Sequence, residues 1–552
     1  MKTSPSGHKL YLALFGLCGL AYIAGLFFPI QGVDANQYFA MSQEMLKTGN
    51  YLEIYHRGYD YLDKPPLLFW ITSLFFKVFG VGEWQYRLPS FLFTLLAVYS
   101  TYRLGKLLYN EHTGKLAALL LFSCQAFFLF NHDVRTDTIL TGSIIFAVWQ
   151  LISYLQNNSW KHLILGFVGV GLGMLAKGPM GIVLPAMALG THVLIKGEWK
   201  QIFKWQWIVG LLITGAILSP MLWGIYHQFD LHPEKTVNGR TGVSGIYFFF
   251  WEQSFGRITG ENVWKDDSTP FFFTHTYLWS YLPWSIAGIA ALVYSIRTLL
   301  KKSLRQNREY YTLGGTLLPF LALSTSNFKL PHYIFIIYPL MSVLVADFLL
   351  RFKESKPLLM WGKLFFVLLI ACVGSLLILI LTLVFPSSSP ALWALTLMTV
   401  VFPVLMLFTP TEWLTKLVSA AVCLFALTNL FLNIHFYPKL APYDAGYSAG
   451  VIITTHGGTE IVHALYENSF AIEVSGRCGF KFHNDPDTLI EWAGRNTYVY
   501  TSQYGYEQIK EADIDVKEVH RLNHYVITLL KKEFLNVKTR PQTLDTMYLL
   551  KI

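Results

Sequence analysis

The sequence VDANQYF places a lone carboxylate, Asp34, at the end of a long apolar stretch. In that position a carboxylate acts as a general base toward an acceptor hydroxyl, as a metal ligand, or as the cap of a following helix. Further on, Asp63-Lys64-Pro65-Pro66 holds an acid and a base ahead of a rigid turn. Lys64 there is a fixed point charge suited to a phosphate, or else half of a local ion pair. His132-Asp133-Val134-Arg135-Thr136-Asp137 packs three charges together. It reads either as a solvated turn with Asp137 capping the next helix, or as an ion-pair network with Arg135 at its hub. Lys177, in Leu175-Ala176-Lys177-Gly178-Pro179, and Lys329, in Ser326-Asn327-Phe328-Lys329-Leu330-Pro331-His332-Tyr333, are single bases beside apolar runs. Snorkelling toward water is the bland account of such a lysine. In Trp251-Glu252-Gln253-Ser254-Phe255-Gly256-Arg257 the aromatics suit an interfacial anchor and Arg257 suits a phosphate. Glu252 is either the partner of Arg257 or a metal ligand.

The elements that must hold these residues follow from composition. The chain has 552 residues, 53% hydrophobic and only 14% charged, against roughly 25% charged in a soluble domain. Apolar stretches of about 20 residues recur, each long enough for a roughly 30 Å hydrocarbon core. These features exclude a cytosolic enzyme, a filament and a disordered chain. The expected architecture is mainly α and polytopic, with about 13 transmembrane helices near 10–30, 85–108, 115–131, 138–156, 162–176, 179–195, 205–226, 274–296, 311–325, 331–350, 361–385, 391–409 and 414–433. Basic clusters such as Lys196/Lys200/Lys204 and Arg351/Lys353/Lys356 mark the cytoplasmic side, and with the N-terminus inside they all fall there. The net charge of +9 is therefore an orientation signal and not a nucleic-acid footprint, because from Phe431 onward about 12 Lys/Arg face about 14 Asp/Glu.

The unusual sequence lies on the opposite side. Two outer loops, about 31–84 and 227–273, exceed simple turns, and the first contains two interfacial helices, Gln37 to Lys47 and Leu67 to Phe79. Residues 1–433 form the membrane domain. Residues 434–552 form a small C-terminal α/β domain, expected on the periplasmic side, with strands at Ile461–Tyr466, Phe470–Val474, Thr497–Thr501 and His524–Leu530 and short helices at Pro486–Gly494 and Tyr504–Ala512. Four of the five cysteines sit in apolar spans, so no disulfide framework is implied.

On this topology the acids and phosphate-suited bases of separated segments converge on one face of the membrane, as a catalytic cavity requires. Their order resembles the integral-membrane C-type glycosyltransferases, nearest the bacterial aminoarabinose transferases and the protein O-mannosyltransferases. The resemblance is carried by Asp34 with Tyr38, Tyr61-x-Asp63-Lys64-Pro65, Arg135-Thr136-Asp137, Lys177-Gly178-Pro179 and Lys329-x-Pro331-x-Tyr333, over roughly residues 10 to 350. It implies a polyprenyl-phosphate sugar donor, an active site on the periplasmic face of the inner membrane, and transfer with inversion to a lipid A, protein or glycan acceptor.

On the resemblance Asp34 activates the acceptor and Asp137 shapes the catalytic site. Lys64 and Arg257 bind the departing phosphate, and Tyr38, Tyr61, Arg135, Lys177, Lys329 and Tyr333 complete the substrate-binding set. Asp63 and Glu252 stand where the aminoarabinose transferases build a metal site, so the one cofactor implied is a hard divalent metal ion with oxygen ligands. Membrane lipids are the remaining partner, and no nucleic acid is expected. A transporter or flippase of a lipid-linked sugar is the alternative, but it calls for polar residues near the bilayer midplane and a path to both sides.

Overall fold

The computed structural model describes residues 5–253, 256, 269–301 and 308–552. Arg257 lies outside the described residues. The N-terminal region is helical: α1 (Pro5–Ala24), α2 (Val33–Thr48), α3 (Leu67–Phe79), α4 (Glu83–Leu108), α5 (Glu111–Phe122), α6 (Gln125–His132), α7 (Thr136–Asn157), α8 (Trp160–Lys177), α9 (Met180–Lys196) and α10 (Gln206–Ile225). The expected spans overlap helices, although the first, 10–30, outruns α1 and the third, 115–131, is broken between α5 and α6. Among the described residues six helices are long and apolar enough to cross a membrane, or seven if α5 and α6, bent by 52° at their junction, form one span. Several other apolar helices, including α9 and Tyr311–Ser324, are shorter. The expected 274–296 span is two helices, Phe272–Ser280 and Ser285–Leu300.

Two helices, α2 and α3, occupy the first loop. α2 begins after Gly32 and stops at Gly49, whose φ of 70° is left-handed and ends the intrahelical bonding. α3 starts directly after Pro65-Pro66, where a missing N–H costs nothing. Between them β1 (Tyr55–His56) and β2 (Tyr59–Asp60) form a small hairpin, and β3 (Thr236–Val237) and β4 (Arg240–Thr241) form another in the second loop.

The α8–α9 turn depends on glycine. Gly178 has φ +65°, and a Cβ on Gly181 would lie 2.3 Å from Met174 N, so only hydrogen there lets the two helices close. This tight hairpin carries Lys177 at its tip.

The C-terminal region is a five-stranded sheet in the order β6-β5-β7-β9-β8, from β5 (Ile461–Leu465), β6 (Gly479–His483), β7 (Tyr498–Ser502), β8 (Glu518–His524) and β9 (Asp545–Lys551). β5 runs parallel to β6 and β7, while β9 runs antiparallel to β7 and β8. Alternation assigns its faces. Val462, Ala464, Tyr498, Tyr500 and Leu549 pack against the helices Ala445–Thr455 and Phe470–Gly476. Leu465, Val499, Tyr548 and Leu550 pack on the opposite face with Leu489 and Ile509.

Two expected strands are corrected. Phe470–Val474 is helical because its apolar residues Ala471, Ile472 and Val474 cover the sheet instead of joining it. His524–Leu530 is the exit from β8, whose alternating polar residues place it at the sheet edge.

The sheet domain is tied to the membrane part by specific bonds. Arg57, in the β1–β2 turn, donates to Glu473 at 2.5 and 3.0 Å and to Asn468 at 2.7 Å, with its guanidinium 3.8 Å from the Phe480 ring. Arg540 donates to the carbonyl of Val384 at the end of a membrane helix, and Gln31 donates to the Tyr437 carbonyl at 2.7 Å.

Within the sheet His463 and His483 share a hydrogen bond of 2.8 Å while buried at 1% and 5% exposure. Burial, reinforced by His483 and Lys481, pulls the His463 imidazole down to about 4. An unfolded histidine titrates near 6.5, so between about 6.5 and 4 the unfolded chain gains a proton that the folded domain refuses. Stability is full above that window and falls as pH drops through it. Hydrogen exchange of the full-length protein at pH 7 and pH 5 is expected to show faster exchange of β5 and β6 amides at pH 5, after correction for intrinsic rates. Equal protection would contradict this.

Candidate active site

The start of α7 gathers the charges. Arg135, the residue before that helix, donates through Nε to Asp133 at 2.6 Å and through Nη1 to Asp34 in the first turn of α2. It is therefore the hub of an ion-pair network and not part of a solvated turn. Asp34 and Asp133 are part-exposed, at 38% and 41%, so the network faces open space. Both carboxylates also sit where a helix N-terminus favours negative charge or adjoins one. Tyr38 lies one turn beyond Asp34, buried, with its ring 5.6 Å from Phe69 of α3; Tyr61 reaches the same phenylalanine at 6.3 Å. Burial pushes the Tyr38 phenol well up, and the neighbouring Tyr61, Asp34 and Asp63 add to this, so it remains a hydrogen-bond donor.

A second group follows two residues later. Asp137, 3% exposed in the first turn of α7, accepts from Lys177 Nζ at 2.6 Å and lies 3.7 Å from His332 Nε2. The Lys177 ammonium stands 4.0 Å from the centre of the Tyr333 ring. It points inward to a buried acid and an aromatic face, which is the opposite of snorkelling. Lys64 pairs with its neighbour Asp63 at 2.6 Å, and Gln253 fixes that turn by donating to the Asp63 carbonyl at 2.5 Å.

Lys64, Asp137, Lys177 and Tyr333 line one cavity of about 120 Å³. Gln253 and Ser326 also line it, and the rest of its wall is apolar, mainly Met180, Val183, Leu184 and Met187 of α9 and Pro319, Ala322 and Leu323 of the helix Tyr311–Ser324. The lining thus combines two ammonium groups with a largely hydrocarbon wall. An ammonium has three donors, so the Asp63 carboxylate does not exhaust that of Lys64.

Lys329 is buried in the segment leading to Tyr333 but does not line this cavity. Glu252 is bound by Arg240 of β4 at 2.7 and 3.3 Å. Asp63 and Glu252 each face a cation, and among the described residues no three His, Cys, Asp or Glu side chains assemble as metal ligands. The described donor set does not fit a divalent-cation site, and no step is derived through one.

Three contributors escape a reading by motif. His332 adds a second partner to Asp137, and Gln253 steadies the Asp63–Lys64 turn. Arg87 of α4 is fully buried and donates to the carbonyls of Leu26, Phe28, Pro29 and His132, pinning the chain before Asp34 to the chain before Asp133. The signal for Arg87 was an arginine inside an apolar span, which is costly unless satisfied.

The chain is similar to known proteins in sequence and in fold. A family model described as dolichyl-phosphate-mannose-protein mannosyltransferase matches residues 63–223. An uncharacterized protein of Aquifex aeolicus is 26% identical, the match covering 56% of this chain and 58% of that protein. The undecaprenyl phosphate-alpha-4-amino-4-deoxy-L-arabinose arabinosyl transferase of Edwardsiella ictaluri is 24% identical, with 58% and 55% covered. The matched region thus spans little more than half the length of either relative. The crystal structure of ArnT from Cupriavidus metallidurans bound to undecaprenyl phosphate shares the fold, with a TM-score of 0.75 at 16% identity over 99% of this chain and 98% of that one. In sequence the chain is similar to the aminoarabinose transferases and, over residues 63–223, to the protein mannosyltransferase family model, and it shares the ArnT fold.

Proposed function

We propose that the protein transfers a sugar from a polyprenyl-phosphate donor to an acceptor at the periplasmic face of the inner membrane, with inversion. The cavity carries the reading: Lys64 and Lys177 in its lining suit a phosphate, and the α9 wall suits an isoprenoid chain. The undecaprenyl phosphate named in the ArnT structure is a ligand of that chemistry.

In the step, the acceptor oxygen forms a bond to the anomeric carbon and its proton passes to an Asp34 oxygen. The bond from the anomeric carbon to the phosphate oxygen breaks, and its electron pair stays on the phosphate. Charge grows there as the bond lengthens, so ammonium groups held in place by Asp63 and Asp137 stabilise the transition state more than the ground state. Arg135 orients Asp34 and must yield or share it when the acceptor arrives. Lys329 and Arg257 belong to the same proposed substrate-binding set.

Asp34→Asn keeps the size of the side chain and removes the base. Transfer by the reconstituted full-length protein is expected to fall at least about 100-fold, the usual share of a general base. Undecaprenyl phosphate binding, read by native mass spectrometry, is expected to persist. Near-wild-type transfer would remove Asp34 from the mechanism, and absence of undecaprenyl phosphate binding in the wild type would overturn the functional reading itself. Mass spectrometry of lipid A, glycoproteins and surface glycans after deletion of the gene identifies the acceptor.

A further inference from the structure

A second cavity, of about 300 Å³, lies where the first turn of α2 meets the sheet domain. Gly32, Val33 and Asn36 form its membrane-side wall and bracket Asp34 within one helical turn. Its opposite wall comes from the sheet domain, with Asp444, Glu467, Tyr500 and His524 as its main polar groups. Tyr500 is only 3% exposed, and its hydroxyl makes no hydrogen bond among the described residues. Burial, then Asp444 and Glu467, pushes this phenol up, so it is a donor at neutral pH. A donor that lines a cleft and has no protein acceptor among the described residues is available to a ligand oxygen.

We propose that this cleft binds a neutral saccharide unit of the acceptor and delivers its hydroxyl toward Asp34. The inference rests on the transferase reading above and adds the acceptor class.

Three observations favour a neutral saccharide. Carboxylates, an amide and a phenol together accept from and donate to vicinal hydroxyls, and Phe470 and Tyr525 offer faces for the C–H side of a sugar ring. Among the described residues no Lys or Arg lines the cleft, and the nearby Arg57 is taken by Glu473, Asn468 and Ser469, so a phosphate-bearing group meets two acids without a lysine or arginine. An extended peptide lacks an edge to pair with, because Tyr500 and Met547 come from β7 and β9, each flanked by strands on both sides.

Saturation-transfer-difference NMR on the full-length protein in nanodiscs, with chitotriose, cellotriose and maltotriose against a phosphorylated glucosamine disaccharide and a Ser/Thr-rich peptide, tests this. At least one neutral trisaccharide is expected to give signal, while the phosphorylated disaccharide and the peptide give none. Tyr500→Phe and Glu467→Gln are each expected to reduce the signal at least about fivefold. Stronger signal from the phosphorylated disaccharide or the peptide, none from any neutral trisaccharide, or full signal in both variants would overturn the proposal. Native mass spectrometry of the same samples with undecaprenyl phosphate separates the two failures. If that lipid binds and the saccharides do not, the cleft assignment fails alone; if the lipid does not bind, the transferase reading fails.

Discussion

Lys64→Ala is expected to lower sugar transfer at least about 1000-fold. Removing a single fixed donor from a site of developing charge usually costs about 100- to 1000-fold. Here the loss is compounded, because Asp63, held 2.6 Å from the ammonium, keeps its negative charge and repels the phosphate that Lys64 attracted. Fold is not the cause of the loss, since the Asp63–Lys64 pair is between sequence neighbours and the turn is held by the Asp63 carbonyl and the two prolines. Initial rates of the reconstituted variant, together with undecaprenyl phosphate affinity, measure the effect. Lys64→Arg is expected to recover part of the activity, since charge is kept while the point geometry is lost. Transfer within tenfold of wild type in Lys64→Ala would place the phosphate elsewhere.

The second large effect falls on stability. Arg87→Met is expected to cost about 3–5 kcal/mol or more, because four carbonyls lose a donor in a site with no exposure to solvent. The guanidinium also lies 4.4 Å from the centre of the Phe28 ring, and methionine keeps the volume but neither interaction. Lysine is no rescue, since one ammonium cannot span acceptors at Leu26, Phe28, Pro29 and His132. Thermal unfolding and the yield of monodisperse protein in detergent report the outcome. A variant as stable as wild type would mean that these carbonyls are satisfied by water.

How far the sequence foretold this site depends on the kind of residue. Asp34, Lys64, Arg135, Asp137 and Lys177 were legible because an ion beside an apolar run is expensive unless it has a task. Their pairing was less so: the sequence left Arg135 open between a solvated turn and a hub, and only the meeting of α2 with α7 decides it. Lys177 carried the bland alternative of snorkelling, which fails because Asp137 arrives from a helix 40 residues away. Arg87 serves carbonyl oxygens, which every residue has, so no pattern marks its partners. In the sheet domain Phe470–Val474 reads equally as a buried strand or a short helix, because five apolar-rich residues are too few for periodicity to distinguish them. β6, β8 and β9 escape the pattern: Lys481 breaks the apolar run of the first, polar residues dominate the second, and the third, Met547–Leu550, is a continuous apolar run without alternation.

The salt link from the β1–β2 turn to Glu473 bears on inheritance as much as on assembly. The boundary near residue 434 is one of composition, yet Arg57 on one side of it is buried among Glu473, Phe470 and Phe480 on the other. A recombination that exchanged the tail between relatives would strand a guanidinium at the entrance loop that also carries Asp63 and Lys64. Tail and hairpin must therefore change hands together, so their variation among homologues should be correlated even where the rest of the loop drifts.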